Sequence, residues 1–157
     1  MIRARPYSVQ FANVAVSAVQ DLIALYSGAS MACELHGVVI GQITGTSVSN
    51  LRVSVNRLPA TVTPGTAGSA ATPQKINRGD GAAVATARVN DTSQATTSGT
   101  KAALHSDVFN TVNGYQFFWP PADIPTIGPS EAAVLSLDTA PGSAMTMSGT
   151  LYFAELL

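Results

Sequence analysis

Apolar and polar residues alternate with a period of two along several stretches of this chain. The alternation is clearest where Leu51, Val53 and Val55 are separated by polar residues, and again from Met145 to Phe153. Because successive side chains of a β strand point to opposite faces, this pattern predicts strands with one buried face. The chain also contains 15 Val, 7 Ile and 16 Thr, side chains that fit a pleated sheet. Together these features favour a β fold.

Weaker alternation extends the prediction to residues 7–11, 31–35 and 133–137, and an Ala-rich run at 83–89 predicts a thin strand near a sheet edge. Ser17 to Gln20 matches a helix capping box and predicts one short helical turn before a strand that starts at Leu22. Turn residues separate the apolar runs. The sum is eight to ten strands, and we expect an all-β, antiparallel two-sheet sandwich that is jelly-roll-like.

A chain of 157 residues predicts a single domain spanning 1–157. Between about 58 and 81 the composition changes to Pro, Gly, Ala, Ser and Thr, which predicts a long extended loop or arm. One interpretation is an arm that embraces a neighbouring subunit, and the other is a mobile surface loop. The candidate contact residues in this segment are Pro64, Pro73 and Arg78.

Charge is scarce, since only 11% of residues are charged and the formal net charge is −1. Eight basic residues spread over the chain cannot neutralise a row of phosphates, so we expect no nucleic-acid partner. Weak charge repulsion favours self-association, although a secreted β protein with a hydroxyl-rich surface has the same composition. The sequence has no apolar run long enough to predict a transmembrane helix. Its N-terminus lacks the apolar core of a secretion signal. We therefore expect no membrane association and synthesis in a cytoplasm.

The residues that carry catalysis or bind metals are dispersed. Cys33 is the single cysteine, and Cys33 and His36 fall on opposite faces of a regular strand. His105, Ser106 and Asp107 are consecutive, so their functional atoms cannot converge as a catalytic triad. The chain contains no phosphate loop, dinucleotide fingerprint or nucleophile elbow. We expect no enzyme, no cofactor and no metal site.

Aromatic residues concentrate in one segment, Tyr115 to Trp119. In a strand, Tyr115, Phe117 and Trp119 share one face while Phe118 points to the other. Core packing at the junction of the two sheets explains this cluster. Alternatively, Trp119 and Pro120 anchor a subunit interface, or the rings form a platform on which a sugar stacks.

Five pieces of the sequence, ELHGVVIGQ, LRVSVNRL, GSAATPQKINRGD, LHSDVFNTVNGYQFFWPP and TMSGTLYFAEL, resemble small virion structural proteins of tailed bacteriophages and prophages. The resemblance spans almost the whole chain, and its motifs carry no catalytic signature. It implies a jelly-roll or related sandwich that sits outside an icosahedral head as a decoration or cement protein. It also implies a trimer or dimer, with the major capsid protein as the partner.

These expectations place the chain on the capsid exterior of a virion, after synthesis in the cytoplasm of the bacterial host. The N-terminal candidates for capsid contact are Arg3, Arg5 and Tyr7, because the two arginines can pair with acidic capsid groups. Two alternatives stay open: a virion-attached module that binds a host glycan, and a component of a tail or connector.

Overall fold

The computed structural model of this protein describes residues 4–44 and 48–156. None of the described residues forms a helix that could cross a membrane. In chain order the strands of these ranges are β1 (Ala4–Val16), β2 (Gln20–Tyr26), β3 (Ala32–Thr44), β4 (Asn50–Leu58), β5 (Val62–Thr63), β6 (Ser69–Ala71), β7 (Gln74–Lys75), β8 (Thr86–Asp91), β9 (Thr96–Thr97), β10 (Ala102–Asn110), β11 (Tyr115–Phe118), β12 (Thr126–Ile127), β13 (Ala132–Leu137) and β14 (Met145–Leu156).

Two large antiparallel sheets form the body of the molecule. Sheet A has the order β11-β3-β14-β1-β7, with β12 also paired to β3, and sheet B has the order β10-β4-β13-β2-β8-β6. The short strands β5 and β9 form a separate two-stranded ribbon. Side chains from the facing sides of sheets A and B share one buried apolar cluster. The predicted all-β, two-sheet antiparallel sandwich is therefore confirmed.

The long strands pair in nested order. β1 pairs with β14, β2 with β13, β3 with β11, and β4 with β10. The strands β1 to β4 alternate between sheets A and B, and so do β10, β11, β13 and β14, whereas β4 and β10 are neighbours in sheet B. This arrangement is compatible with a jelly roll, in which eight strands form two Greek keys.

The sequence alternation builds the core as expected along β1 and β14. Tyr7, Val9 and Phe11 face the interior, and the intervening side chains face outward. On β14 the residues Leu151 and Phe153 lie opposite Val9 and Tyr7. Each fully buried large apolar side chain contributes roughly 1.5–3 kcal/mol by removal from water. The paired alternation therefore fixes which face of sheet A points inward.

Sheet B is covered on both of its faces. All six residues of β13 are buried, and so are the residues of β2 except Tyr26. The ribbon, which comprises residues 59–66 and 92–101, lies on the outer side of these central strands. A second apolar cluster fills the space between the ribbon and sheet B; it contains Ala24, Leu58, Ala95, Ala132 and Val134, with Tyr26 and Val62 packed against it.

A buried carboxylate fastens the ribbon to sheet B. Asp21 Oδ2 accepts a hydrogen bond from the backbone N–H of Ala95 at 2.7 Å. Its Oδ1 accepts one from the Ser136 hydroxyl at 2.9 Å and one from the Gln94 amide at 3.1 Å. Burial raises the pKa of Asp21 above its ordinary value, although these hydrogen bonds act in the opposite direction. Asp21 therefore anchors the ribbon to sheet B, and the burial of its charge carries a desolvation cost.

The segment 58–81 lies against the domain. Its strand β6 pairs with β8, with Ala70 opposite Arg88, and its strand β7 pairs with β1. Directly before β6, the N–H of Gly68 donates to Asp91 Oδ1 at 3.0 Å. In the single chain, the small residues of this segment thus approach the chain's own strands, and the segment connects the outer layer of sheet B to the edge of sheet A.

The predicted helical turn at Ser17 to Gln20 is wrong. Residues 17–19 form a bend, and β2 begins at Gln20 itself. In a capping box the Gln20 amide would reach back to the Ser17 backbone. Here it donates to Asn90 Oδ1 on β8 instead. The bond to Asn90 therefore uses the Gln20 amide that a helix capping box would need.

Candidate interaction surface

The predicted N-terminal contact residues do not share one environment. Arg3 lies outside the described residues, and Arg5 is half-buried in β1. Tyr7 is fully buried; its ring stacks on Phe153 with centroids 5.5 Å apart, and its hydroxyl donates to the carbonyl of Gly81. The prediction that Tyr7 is a surface contact is wrong, because its position in β1 faces the sandwich interior.

The predicted contacts in the 58–81 segment occupy two places. Pro64 is exposed in the ribbon over sheet B. Pro73 and Arg78 line an open hollow of about 390 Å³ beside β7, together with Lys75 and Ala82. Pro73 is half-buried there, whereas Arg78 is exposed. The structure therefore brings Pro73 and Arg78 together and leaves Pro64 apart from them.

An aromatic cluster closes the gap between the edge strands β10 and β11. The His105 ring from sheet B stacks on Phe117 of sheet A, with centroids 3.7 Å apart and planes 11° apart. His105 Nε2 shares a hydrogen bond with the Tyr115 hydroxyl at 2.6 Å. Trp119 meets Phe117 edge-on at 4.9 Å and His105 at 6.4 Å. The cluster, defined as His105, Tyr115, Phe117 and Trp119, joins the two sheets.

The environment of this cluster fixes the protonation of its phenol. Burial raises the pKa of Tyr115 to about 12, and the nearby charge of Asp107 acts in the same direction. Tyr115 therefore keeps its proton at neutral pH. Trp119 is half-buried and packs against the main core, as the core-packing alternative expects, while the following Pro120 is exposed.

Sheet A has an outer face that no other layer of the described chain covers. Phe118 is 46% exposed on this face, and its ring lies 5.8 Å from that of Tyr152. Gly37 lies between their strands, directly beneath Phe118. We call this surface the open face; its two central rows are Phe118, Gly37, Tyr152, Ser8 and Gln74, and Gln116, Val39, Thr150 and Gln10.

The open face is uncharged across both central rows. It combines two aromatic rings with amide and hydroxyl side chains on a regular sheet. Charge appears only toward one end, where His36 Nε2 lies 3.8 Å from the carboxylate of Glu34. Such a surface can approach another without desolvating an ionised group, which is the costly step when charges are buried. The open face is therefore suited to contact through area and shape.

Among the described residues, no group of three or more His, Cys, Asp or Glu side chains converges as metal ligands do. The hollows at the surface of the described chain are open, and one of about 540 Å³ lies between the ribbon and Pro129 to Glu131. Comparison of the chain with protein-family models, with curated proteins and with solved structures finds no match. The arguments that follow therefore rest on the residues of this chain.

Sequence reasoning missed two of the contacts described above. It did not place His105 in the aromatic cluster, because its partners Tyr115 and Phe117 belong to the other sheet. It placed Phe118 on the opposite face from Phe117, which is correct, but not beside Tyr152, because that contact depends on sheet register. The signal that was available is the pair of outward aromatic residues at Phe118 and Tyr152, each in a strand whose other face is apolar.

Proposed function

We propose that this chain is a virion structural protein, a decoration or cement protein that binds the outer surface of a bacteriophage capsid and stabilises it. Its partners are then the major capsid protein and other copies of itself. The proposal is supported by the sequence resemblance and by a strand order compatible with a jelly roll, an architecture that recurs in viral capsid and lectin domains.

The open face carries this proposal. Protein interfaces are enriched in aromatic residues and depleted of Lys, Glu and Asp at their centres, and the two central rows of the open face follow that composition. Sheet B offers no comparable surface, since the ribbon covers its central strands. A capsid subunit seated on the open face would cover Tyr152 on the central strand β14 and Phe118 on the edge strand β11.

The stabilisation we propose is a mass-action effect. A protein that binds the mature shell and not its disassembled subunits shifts the equilibrium toward the shell. Each contact need not be strong, because a multimer that engages several capsid subunits gains avidity through effective concentration. The exposed Pro64 and Arg78, outside the open face, are available for such secondary contacts.

The test is cosedimentation of the purified chain with mature heads assembled without it, taken from the phage that encodes it. We expect the wild-type chain to sediment with the heads and Phe118→Asp to lose most of that binding, because the variant replaces the most exposed aromatic ring of the open face with a charge. Val19→Asp is the matched control, since Val19 is 39% exposed in the bend between β1 and β2. Equal head occupancy by Phe118→Asp and the wild type would contradict the proposal.

A second candidate is a glycan-binding module on the virion. It is favoured by the exposed ring of Phe118 and the half-buried ring of Tyr152, which are flanked by the amides of Gln116 and Gln10 and thus offer stacking and hydrogen bonds together. A glycan screen with Tyr152→Ala as the negative control distinguishes the two, because glycan binding needs no head. A tail or connector component would instead appear as rings or tubes by electron microscopy.

A further inference from the structure

Strand β10 has one unpaired side. It lies at the edge of sheet B, and its only strand partner among the described residues is β4. The carbonyl of Arg52 on β4 accepts a hydrogen bond from the N–H of Asp138, on the side of β4 that faces β13. Because the backbone groups of successive strand residues point to alternate sides, those of Val53 and Val55 point toward β10. The backbone groups of their partners, Asp107 and His105, therefore bond to β4.

Residues Ser106 and Val108 consequently present their backbone groups to the free edge. In the single chain the N–H of Val108 donates to the side chain of its neighbour, Asp107 Oδ1, at 2.7 Å, and this exposed bond is exchanged for one to the second strand when the edge pairs. The Val108 side chain is 59% exposed. An unpaired edge of this kind is a template for another strand.

β10 is the longest of the strands that end the two sheets. It spans 9 residues, whereas β6, β7 and β11 span 3, 2 and 4. Its sequence, AALHSDVFN, contains neither Pro nor Lys, two of the residues with which natural proteins block an edge. Two other features of blocked edges are present, the charge of Asp107 and a bulge between Ala103 and His105.

The same strand is complementary to itself. In an antiparallel pair of two β10 strands centred on Ser106, each His105 lies opposite Asp107 of the second copy. Both side chains point to the core-facing side of sheet B, because they pair with the buried Val55 and Val53. Directly opposed residues on one face have Cβ atoms about 4.5–5.5 Å apart, which brings an imidazole and a carboxylate within reach. Because Nε2 of His105 is bonded to the Tyr115 hydroxyl, Nδ1 is the atom that can meet Asp107. A two-fold axis makes this contact twice.

We propose that two copies of this chain pair antiparallel along β10, about a two-fold axis at Ser106, so that sheet B continues from one copy into the other. This pairing gives a geometry to the self-association that the proposed function includes, and its role on a phage head rests on that proposed function. It is tested without heads, so that its failure is separate from failure of capsid binding.

The first experiment is sedimentation velocity of the full chain over a wide range of concentrations. We expect the wild type to form a dimer and Ser106→Pro to remain monomeric, because proline removes the edge N–H without removing a hydrogen bond to β4. Ser106→Ala is the matched control: it keeps the N–H and loses only the hydroxyl that accepts from Arg52 Nε, and it should dimerise as the wild type does. Circular dichroism establishes that Ser106→Pro is folded.

A second measurement needs no variant. Amide hydrogen exchange of the wild type should slow at Ser106 and Val108 as concentration rises, while amides of β6 at the opposite edge of sheet B stay unchanged. The proposal is overturned if the wild type is monomeric throughout, if exchange in β10 is independent of concentration, or if a dimer or trimer forms equally well with Ser106→Pro.

Discussion

At the scale of single residues, the open face depends on a glycine beneath an aromatic ring. A Cβ on Gly37 would overlap the Phe118 ring and lie 2.7 Å from the backbone oxygen of Phe117. We expect Gly37→Ala to destabilise the fold by about 1–3 kcal/mol, because β11 must shift to make room. Equilibrium denaturation in urea measures the change.

Gly41 provides the matched control for this substitution. It lies on the same strand and the same face as Gly37, but a Cβ there meets no atom within 4 Å. Gly41→Ala should therefore stabilise the strand by roughly 0.5–1 kcal/mol, since alanine loses less backbone entropy on folding. Equal effects of the two substitutions would show that the contact of Phe118 with Gly37 is not a tight one.

Asp21 is a second residue with a measurable consequence. Because burial raises its pKa above the ordinary 3.8, the folded protein binds this proton more tightly than the unfolded chain does. Its contribution to stability is thus fully present below pH 3.8 and is lost as the pH rises through the folded-state pKa. We expect the free energy of unfolding of the wild type, minus that of Asp21→Asn, to fall over this window.

The measurement is urea denaturation of both proteins at several acidic and neutral pH values. Asp21→Asn serves as the reference because it cannot titrate, so titrations elsewhere in the chain cancel in the difference. A difference that grows with pH would mean that the hydrogen bonds from Ala95, Ser136 and Gln94 outweigh desolvation.

At the scale of elements, the ribbon makes sheet B a middle layer. Leu58 is fully buried in the outer cluster between the ribbon and sheet B. We expect Leu58→Ala to destabilise the protein by about 2–5 kcal/mol through lost burial and a residual cavity. Val112→Ala is the control: Val112 is 68% exposed, so its truncation should change stability by less than about 0.5 kcal/mol.

Hydrogen exchange locates the effect of this substitution. In Leu58→Ala the amides of β5 and β9 should exchange faster than in the wild type, and more so than those of β14, because the ribbon lies over the new cavity. Acceleration that is uniform across the sandwich would contradict a separate outer layer.

Sequence periodicity predicts both faces of a strand best where the outer face is accessible to solvent. Residues 51–55 and 145–153 alternate in sequence, and their apolar members are buried in the structure, but only 145–153 keeps its polar members accessible, since Ser54 is buried too. The pattern fails in β2 and β13, where polar residues such as Asp21 and Ser136 are buried as well. The ribbon forms a third layer that buries the outer face of these strands. Reasoning from a period of two fails there because it assumes that the outer face of a strand is exposed to water.

The candidate surface was harder to predict than the strands, for a related reason. The alternation of Phe117 and Phe118 between faces follows from local geometry and was predictable. Which partner each ring meets depends on register between strands far apart in the chain, as with His105 and Phe117 on different sheets. Tyr7 looked like a terminal contact for the same reason, because nothing local indicates that Phe153 lies beside it.

At the scale of the whole molecule, the sandwich is asymmetric. The ribbon covers the outer side of sheet B, while the outer side of sheet A is open and the edge at β10 is long and unpaired. Contacts through the open face and through β10 use different surfaces, so a pair of copies joined at β10 keeps both open faces free. The proposed capsid contact and the proposed pairing are therefore compatible in one assembly.

The single cysteine reports on opening of the whole sandwich. Cys33 is fully buried between the sheets, and burial, together with the charge of Glu155, raises the pKa of its thiol to about 12. Because the thiolate is the reactive form, we expect Ellman's reagent at pH 8 to label the native protein far more slowly than the unfolded chain. Low concentrations of urea should speed labelling in proportion to global unfolding.

The urea dependence separates global from local opening. Cys33 pairs with Ile127 of the two-residue strand β12, whose detachment alone would uncover that side of β3. Labelling through such local opening would be nearly independent of urea, because little surface becomes exposed. A rate with the full urea dependence of unfolding means that the thiol is shielded by the packed sheets as a unit, whereas rapid, urea-independent labelling would show that β12 opens by itself.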